Sequence, residues 1–212
     1  MRSQIQQKPI FIPVINHKWT PNHNSILIVK NWFDELYGPS VCKTLETSQI
    51  NGVQFAEYIK GITEGRDTIC LYICLHGQQI KNKETGKPEE FLLLNDSFSL
   101  KDSEFSEIIN SIHFKNLYIF LESCHGGGLI NTIKIDDKIT SMDYVNVVIF
   151  NVCSKEQKCY VRINANQTVG VVSALLNKYR TNPFRNPEKA LLMVKKIYPT
   201  LNTKVTVMKN LS

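Results

Sequence analysis

The sequence lacks any hydrophobic run long enough to cross a bilayer. Its longest apolar runs have about seven residues, whereas a transmembrane helix needs about 20. The residues before Pro9 are polar and contain no apolar stretch typical of a signal peptide. We therefore expect a cytoplasmic protein that does not have a membrane as a partner.

The sequence also lacks clusters of basic residues. Its formal net charge is +6, but Lys and Arg are scattered along the chain and never form a run longer than two. Nucleic-acid-binding domains concentrate positive charge on one face or along one helix. This charge pattern therefore predicts that the chain does not bind nucleic acid.

The cysteines lack the spacing of a metal site, and the chain is too long for a disulfide scaffold. With 212 residues, of which 42% are hydrophobic, one sizeable core can form without disulfides. No C-x-x-C or H-x-x-x-H spacing occurs, so we expect no zinc. Cys70 and Cys74 lie inside an apolar run and are typical of buried thiols in a reducing compartment. The six cysteines are Cys42, Cys70, Cys74, Cys124, Cys153 and Cys159.

Short apolar runs alternate with segments of helical periodicity. This alternation predicts an α/β fold with a parallel sheet that is covered on both faces. Strands are predicted at 25–30, 41–46, 68–75, 91–94, 116–121, 145–151 and 204–208. Helices are predicted at 49–61, from a cap at Asp102 or Ser103 to Ile112, at 172–179 and from Pro187 to Ile197. The stretches 81–90 and 129–144 are predicted to be a turn and a loop.

Two predicted strands are followed by residues that can perform chemistry. His76 and Gly77 follow the strand at 68–75, and Cys124 follows the strand at 116–121 and precedes a glycine-rich stretch. Sites form beyond the carboxyl ends of strands in such sheets. If the two strands are neighbours, the imidazole can lower the thiol pKa and hold the proton for a leaving group. The adjacent glycines let backbone N–H groups reach an oxyanion.

The sequences around these residues resemble two metacaspase motifs. Leu-His-Gly-Gln-Gln at 75–79 is similar to the metacaspase Ser-Gly-His-Gly-Thr-Gln, and Glu-Ser-Cys-His-Gly at 122–126 to Asp-Ser-Cys-His-Ser-Gly. Cys124 follows His76 by 48 residues, close to the roughly 50 of caspases. The caspase signature Gln-Ala-Cys-x-Gly is absent. The resemblance extends from about residue 25 to 210.

The resemblance implies a cysteine endopeptidase with a caspase-like three-layer fold. Such a fold has a central, mostly parallel six-stranded sheet with helices on both faces. It would occupy residues 25–212, after an N-terminal extension at 1–24. By the same resemblance, Cys124 attacks the scissile carbonyl and His76 is the general acid/base. The N–H groups of Gly77 and Cys124 form the oxyanion hole, and the partner is a peptide or protein substrate.

Glu122 stands where metacaspases have an Asp in the S1 pocket that pairs with Arg or Lys at P1. A carboxylate in a pocket is costly unless it is paired, so we expect a cationic P1 side chain. The alternative is a salt bridge between Glu122 and a Lys or Arg elsewhere in the chain. The metacaspase Gly-Cys-x-Asn-Asp segment is absent, and we expect Asp34 to substitute for its Asp. Cys74 completes the expected substrate-binding residues.

Two further family features are altered. The metacaspase calcium site uses a pair of Asp residues, of which only Asp102 is present, and Asn131 stands where Asp is usual. Calcium needs about six to eight oxygen ligands, so we expect no required cofactor and weak or absent calcium dependence. Asp102 could instead cap a helix. Lys134 and Lys138 lie where caspase-like enzymes often cleave themselves, and they are candidates for self-processing.

Two other functions remain open on these residues. The chain could be a catalytically silent caspase-like module that binds or regulates a protease or a partner in programmed cell death. It could also transfer or hydrolyse another acyl group, because the acyl-enzyme chemistry is the same. Metacaspases are mostly monomeric, so we expect a monomer.

Overall fold

The structure is a computed structural model, and it describes residues 7–18, 23–123, 146–151, 162–164, 167–168, 172–173, 176, 192 and 204–209. The helices with assigned bounds are α1 (His23–Tyr37), α2 (Gly52–Thr63) and α3 (Asp102–Asn110). The strands are β1 (Ile10–Ile15), β2 (Val41–Cys42), β3 (Leu45–Glu46), β4 (Thr68–Cys74), β5 (His76–Lys81), β6 (Pro88–Leu93), β7 (Ser99–Lys101), β8 (Asn116–Leu121), β9 (Asn146–Asn151), β10 (Arg162–Asn164), β11 (Gln167–Thr168) and β12 (Lys204–Lys209). None of the helices in these ranges has the length and apolar character that a bilayer requires.

One large sheet organises the fold. Its strand order is β12-β9-β8-β4-β1-β2, and β3 also pairs with β1. Because β2 and β3 pair with successive parts of β1, the sheet is six strands wide. All neighbours are parallel except β12, which runs antiparallel to β9. The expected fold class, a central and mostly parallel six-stranded sheet in an α/β protein, is confirmed.

The two faces of this sheet carry separate halves of the core. Side chains alternate between the faces along each strand, and the central strands are buried on both sides. Aliphatic residues of one face pack against α2 and α3. Mainly aromatic residues of the other face pack against α1 and the helical residues Val172 and Leu176. The residues of this second face and the helical residues packed against it are together called the aromatic face below. They are Phe11, Val29, Trp32, Phe33, Cys70, Tyr72, Phe120, Phe150, Val172 and Leu176.

The first strand of the sheet differs from the prediction. Residues 25–30, predicted as a buried strand, lie in α1, so this prediction is wrong. Ser25, Val29 and Phe33 are buried at helical spacing while Leu27 is 55% exposed, a pattern of one buried helix face. The sheet instead begins with β1 at Ile10. β1 precedes the domain boundary expected between residues 24 and 25, yet it is an interior strand of the large sheet.

The strand β1 contains a proline, which is unusual for an interior strand of a sheet. Pro13 lies within β1 and pairs with Tyr72 of β4 in register. On the other side of β1, the carbonyls of Phe11 and Ile15 accept hydrogen bonds from Lys43 and the residue after β3. By alternation, the missing N–H of Pro13 faces this same side, where the ladder breaks between β2 and β3. The strand therefore loses no hydrogen bond at the proline.

A second, antiparallel sheet follows β4. Its strand order is β5-β6-β7, and β7 leads directly into α3. The polar turn expected at 81–90 is shorter, because β5 continues to Lys81 and β6 begins at Pro88. Asn82 and Gly86 close the turn through a backbone hydrogen bond of 2.9 Å, with Gly86 at a φ of +69°. His76 is thus the first residue of a strand, immediately beyond the large sheet.

The aromatic face predicts a large difference between two phenylalanines. Phe120 is fully buried between Trp32 and Phe150, so Phe120→Ala should lower the free energy of unfolding by about 3–5 kcal/mol. Phe98 is 47% exposed, and Phe98→Ala should cost about 1 kcal/mol or less. Urea denaturation of both variants measures these values. Equal losses would contradict the packing described for this face.

Candidate active site

The candidate site lies at the carboxyl ends of β4 and β8. These strands pair in parallel from Thr68 and Asn116 to Ile73 and Leu121, and the partners are separated by 48 positions throughout. The N–H of Glu122 donates to the carbonyl of Ile73 at 2.8 Å, so the pairing extends one residue beyond β8. The ends of the two strands are thereby held side by side, as the sequence analysis assumed.

Glu122 lies at this edge and accepts hydrogen bonds from two other segments of the chain. Its Oε2 accepts from the Tyr72 hydroxyl at 2.6 Å and from the Cys74 thiol at 3.7 Å. Its Oε1 accepts from the backbone N–H of Val172 at 2.7 Å, and the backbone of Ser173 also donates to the carboxylate. The carboxylate therefore connects β4, the end of β8 and the helical residues at 172–173.

Burial controls the protonation of this group. It raises the pKa of the Glu122 carboxyl above its ordinary value, although hydrogen bonds from Tyr72 and the two backbone amides act in the opposite direction. Burial and the nearby carboxylate together raise the pKa of Cys74 and of Tyr72 well above their usual values. Both side chains consequently stay protonated near neutral pH and act as neutral hydrogen-bond donors.

No positive charge compensates Glu122 within the described residues. The ion pairs found among them do not include Glu122, so the internal salt bridge considered as an alternative is not found there. Neutral donors stabilise a carboxylate but do not cancel its charge.

The site contains residues that the sequence analysis did not identify. Tyr72 lies on the same face of β4 as Cys74, and two-residue alternation could have placed it beside Glu122. Ser25 is buried in α1, and its hydroxyl accepts a hydrogen bond of 3.0 Å from the Ser173 hydroxyl. This bond ties the start of α1 to the helical residues that hold Glu122. Ser25 belongs to the helix that follows β1. The sequence analysis predicts a strand at 25–30 and therefore gives Ser25 no place at the site.

His76 and Gly77 lie directly beyond β4. His76 is exposed and pairs in register with Leu93 of β6, while the partly buried Gly77 pairs with Leu92. The β5–β6 pairing therefore holds the backbone of both residues at the carboxyl edge of the large sheet. Cys124, Lys134 and Lys138 lie outside the described residues, and the described part of this segment ends at Ser123.

Asp34 is not part of this site, and its predicted role in the pocket is wrong. Its Oδ1 accepts hydrogen bonds from the Ser40 N–H at 2.9 Å and the Ser40 hydroxyl at 2.5 Å, and Oδ2 pairs with Lys30. Ser40 immediately precedes β2, which pairs with the first residues of β1. The 15-residue α1 spans about 22 Å, so Asp34 lies at the opposite edge of the sheet from Glu122.

Asp102 occupies the first turn of α3 and is not the helix cap. The N-cap is Lys101, whose backbone N–H donates to the Glu104 carboxylate at 2.8 Å. Asp102 accepts a hydrogen bond of 2.6 Å from the N–H of Ser103. Within the described ranges, no group of three or more His, Cys, Asp or Glu side chains is arranged to hold a metal ion.

Comparison with known proteins identifies the architecture. No protein-family model and no curated protein matches the chain by sequence. A structural genomics target from Geobacter sulfurreducens is similar in structure, with a TM-score of 0.63, 13% identity, and coverage of 95% of this chain and 93% of that one. Caspase-1 from Spodoptera frugiperda is similar with a TM-score of 0.54, 10% identity, and coverage of 96% and 86%. The chain has a caspase-like fold. Identities this low show the caspase-like fold alone.

The raised pKa of Glu122 predicts a specific pH dependence of stability. A group whose pKa is raised by folding contributes stability below its unfolded pKa and loses it as pH rises through the folded pKa. Compared with Glu122→Gln, the wild type should therefore lose unfolding free energy as pH rises from about 4 toward neutrality. Urea denaturation of both proteins between pH 4 and 7.5 tests this. A stability difference that moves in favour of the wild type with rising pH would contradict the burial of this carboxyl.

Proposed function

We propose that the chain is a cysteine endopeptidase, similar to metacaspases, that cleaves after Arg or Lys. Cys124 is the nucleophile, His76 is the general acid/base, and the N–H groups of Gly77 and Cys124 stabilise the oxyanion. The caspase-like fold supports a peptidase of this class, because the candidate residues follow its central strands. We propose no required cofactor, and calcium is a variable of the test.

The observation that carries the proposal is the register between β4 and β8. Paired residues of these strands are 48 positions apart, and the same separation applies to Cys74 and Glu122, which are in contact. His76 and Cys124 are also 48 positions apart. A histidine and a cysteine with the offset of the strands that precede them are suited to form a dyad at one sheet edge.

The reaction proceeds through an acyl-enzyme. The proton of the Cys124 thiol passes to the His76 imidazole, and the thiolate adds to the scissile carbonyl carbon. The oxyanion accepts hydrogen bonds from the two N–H groups while His76 returns the proton to the leaving amine. Water then loses a proton to His76 and attacks the thioester, which releases the carboxylic acid and restores the thiol.

The basic P1 preference is supported by the electrostatics of Glu122. Its described partners, Tyr72, Cys74 and two backbone amides, are neutral donors that favour the ionised carboxylate, in opposition to burial, and bring no positive charge. The residues that the structure describes place no counter-ion beside it, and a partly buried charge without one is unfavourable. An Arg or Lys side chain of the substrate would neutralise it, whereas an Asp side chain would be repelled.

Fluorogenic peptides with Arg, Lys, Asp or Asn at P1 test the peptidase, with and without calcium. We expect turnover of the Arg and Lys peptides by the wild type. Cys124→Ala and His76→Ala should each lower turnover by at least about 10³-fold, because each removes a group that acts in bond cleavage. Cys42→Ala is the matched control, since this exposed thiol lies in β2 at the opposite end of the sheet. Turnover that survives Cys124→Ala would refute the proposed nucleophile.

Glu122→Gln tests the P1 preference because it removes the charge and keeps the size and shape of the side chain. The ratio of kcat/KM for an Arg peptide to that for a Met peptide should fall about 10- to 100-fold. Asp34→Asn should leave this ratio unchanged, because Asp34 lies at the other edge of the sheet. Efficient cleavage after Asp by the wild type would retain the peptidase but refute the role of Glu122.

A catalytically silent caspase-like module that binds or regulates a protease is the second candidate. The observation in its favour is that four donors within the fold already satisfy Glu122, as in a purely structural carboxylate. A folded wild-type protein without turnover of any peptide would favour this function. Such a protein should still show the stability behaviour expected for Glu122.

A further inference from the structure

The Tyr72 hydroxyl is the strongest side-chain donor to Glu122. Its oxygen lies 2.6 Å from Oε2, whereas the Cys74 sulfur is 3.7 Å away and thiols are weak donors. The other donors among the described residues are the backbone amides at 172–173, of which that of Val172 contacts Oε1. Tyr72 is therefore the group on β4 that determines how the carboxylate is oriented.

The position of this hydroxyl is set by the core. Tyr72 is fully buried in the aromatic face, and its ring is stacked against Phe11 with centroids 6.5 Å apart. Packed interiors allow little movement of such a ring. The hydroxyl consequently has one accessible position at the end of β4, and the carboxylate that accepts from it is immobilised with it.

We infer that Tyr72 is a positioning residue for P1 selection: it holds the Glu122 carboxylate in one orientation and favours its ionised form. This inference rests on the proposed function, in which Glu122 recognises a cationic P1 side chain. The titratable groups in contact with Glu122 among the described residues are Tyr72 and Cys74. Both remain protonated near neutral pH, so Glu122 is the first of these three groups to lose a proton as the pH rises.

Removing the hydroxyl has a predictable consequence. The hydrogen bond from Tyr72 lowers the pKa of Glu122, in opposition to burial. Without it, the carboxyl gains a proton at a higher pH and is less constrained in orientation. Recognition of a cationic P1 side chain should then weaken, and more so at lower pH, whereas cleavage of a peptide with a neutral P1 residue should change little.

The test uses Tyr72→Phe, which keeps the stacked ring. Selectivity for Arg over Met at P1 should fall about tenfold, the loss expected for one hydrogen bond to a charged group. The effect should be mainly on KM, and the acid limb of the kcat/KM profile for the Arg peptide should move to higher pH. Tyr118→Phe is the matched control: it removes a hydroxyl that bonds to the Tyr37 hydroxyl at 2.6 Å, near the end of α1 and away from Glu122. An unchanged Arg profile in Tyr72→Phe would overturn the inference.

A second measurement separates this inference from the proposed function. The carboxyl carbon of Glu122 is titrated by NMR in the wild type, in Tyr72→Phe and in Tyr118→Phe. The midpoint should rise in Tyr72→Phe only. If the wild type has no basic P1 preference but the midpoint rises, the proposed P1 role fails while the positioning of Glu122 stands. If the midpoint does not rise, the positioning by Tyr72 is refuted whether or not the chain is a peptidase.

Discussion

Parallel pairing between β4 and β8 holds the candidate site together. Both strands are buried on both faces, so a slip of one residue would exchange the aliphatic and aromatic faces of the sheet. The core therefore enforces a single register. Because side chains alternate, this register also places Tyr72, Cys74 and Glu122 on the same face. The packing that stabilises the fold thus determines which polar groups meet at its edge.

Glu122 shows how such an edge can hold a buried carboxyl that has no cationic partner among the described residues. Burial disfavours the ionised carboxyl, and neutral donors from separate parts of the chain reduce this cost. The donors come from β4 and from residues 50 positions further along the chain. The arrangement connects two layers of the fold through one side chain. The carboxylate proposed to recognise a cationic side chain therefore also links a strand to a helix.

Strands buried on both faces could be predicted from the sequence, but the first strand could not. β4, β8 and β9 agree with the predicted strands to within about two residues, because their continuous apolar runs have flanks that favour turns. Residues 25–30 and 10–15 are both short apolar runs, but the second contains Pro13, which is untypical of an interior strand. Only the break between β2 and β3, a tertiary feature, makes the proline acceptable there.

The candidate site was predictable to the same extent. The sequence places Cys74 and Glu122 at the ends of two strands that are expected to be parallel neighbours. In the structure the two side chains are in contact. Asp34 was assigned to the pocket because the misplaced first strand put it just beyond a strand end. The donors at 172–173 and the contact of Ser25 with Ser173 join distant parts of the chain. No local periodicity encodes such contacts, so they required the structure.

The two short strands beside Pro13, β2 and β3, limit how this edge of the sheet can pair with a strand of another chain. An edge strand with a continuous row of free backbone groups is a template for adding another chain, which leads to aggregation. Here that edge consists of two segments of only two residues each, β2 and β3, with residues 43 and 44 between them. An incoming strand would find no unbroken ladder to extend. The interruption that accommodates a proline in the neighbouring strand therefore also protects this side of the sheet from self-association.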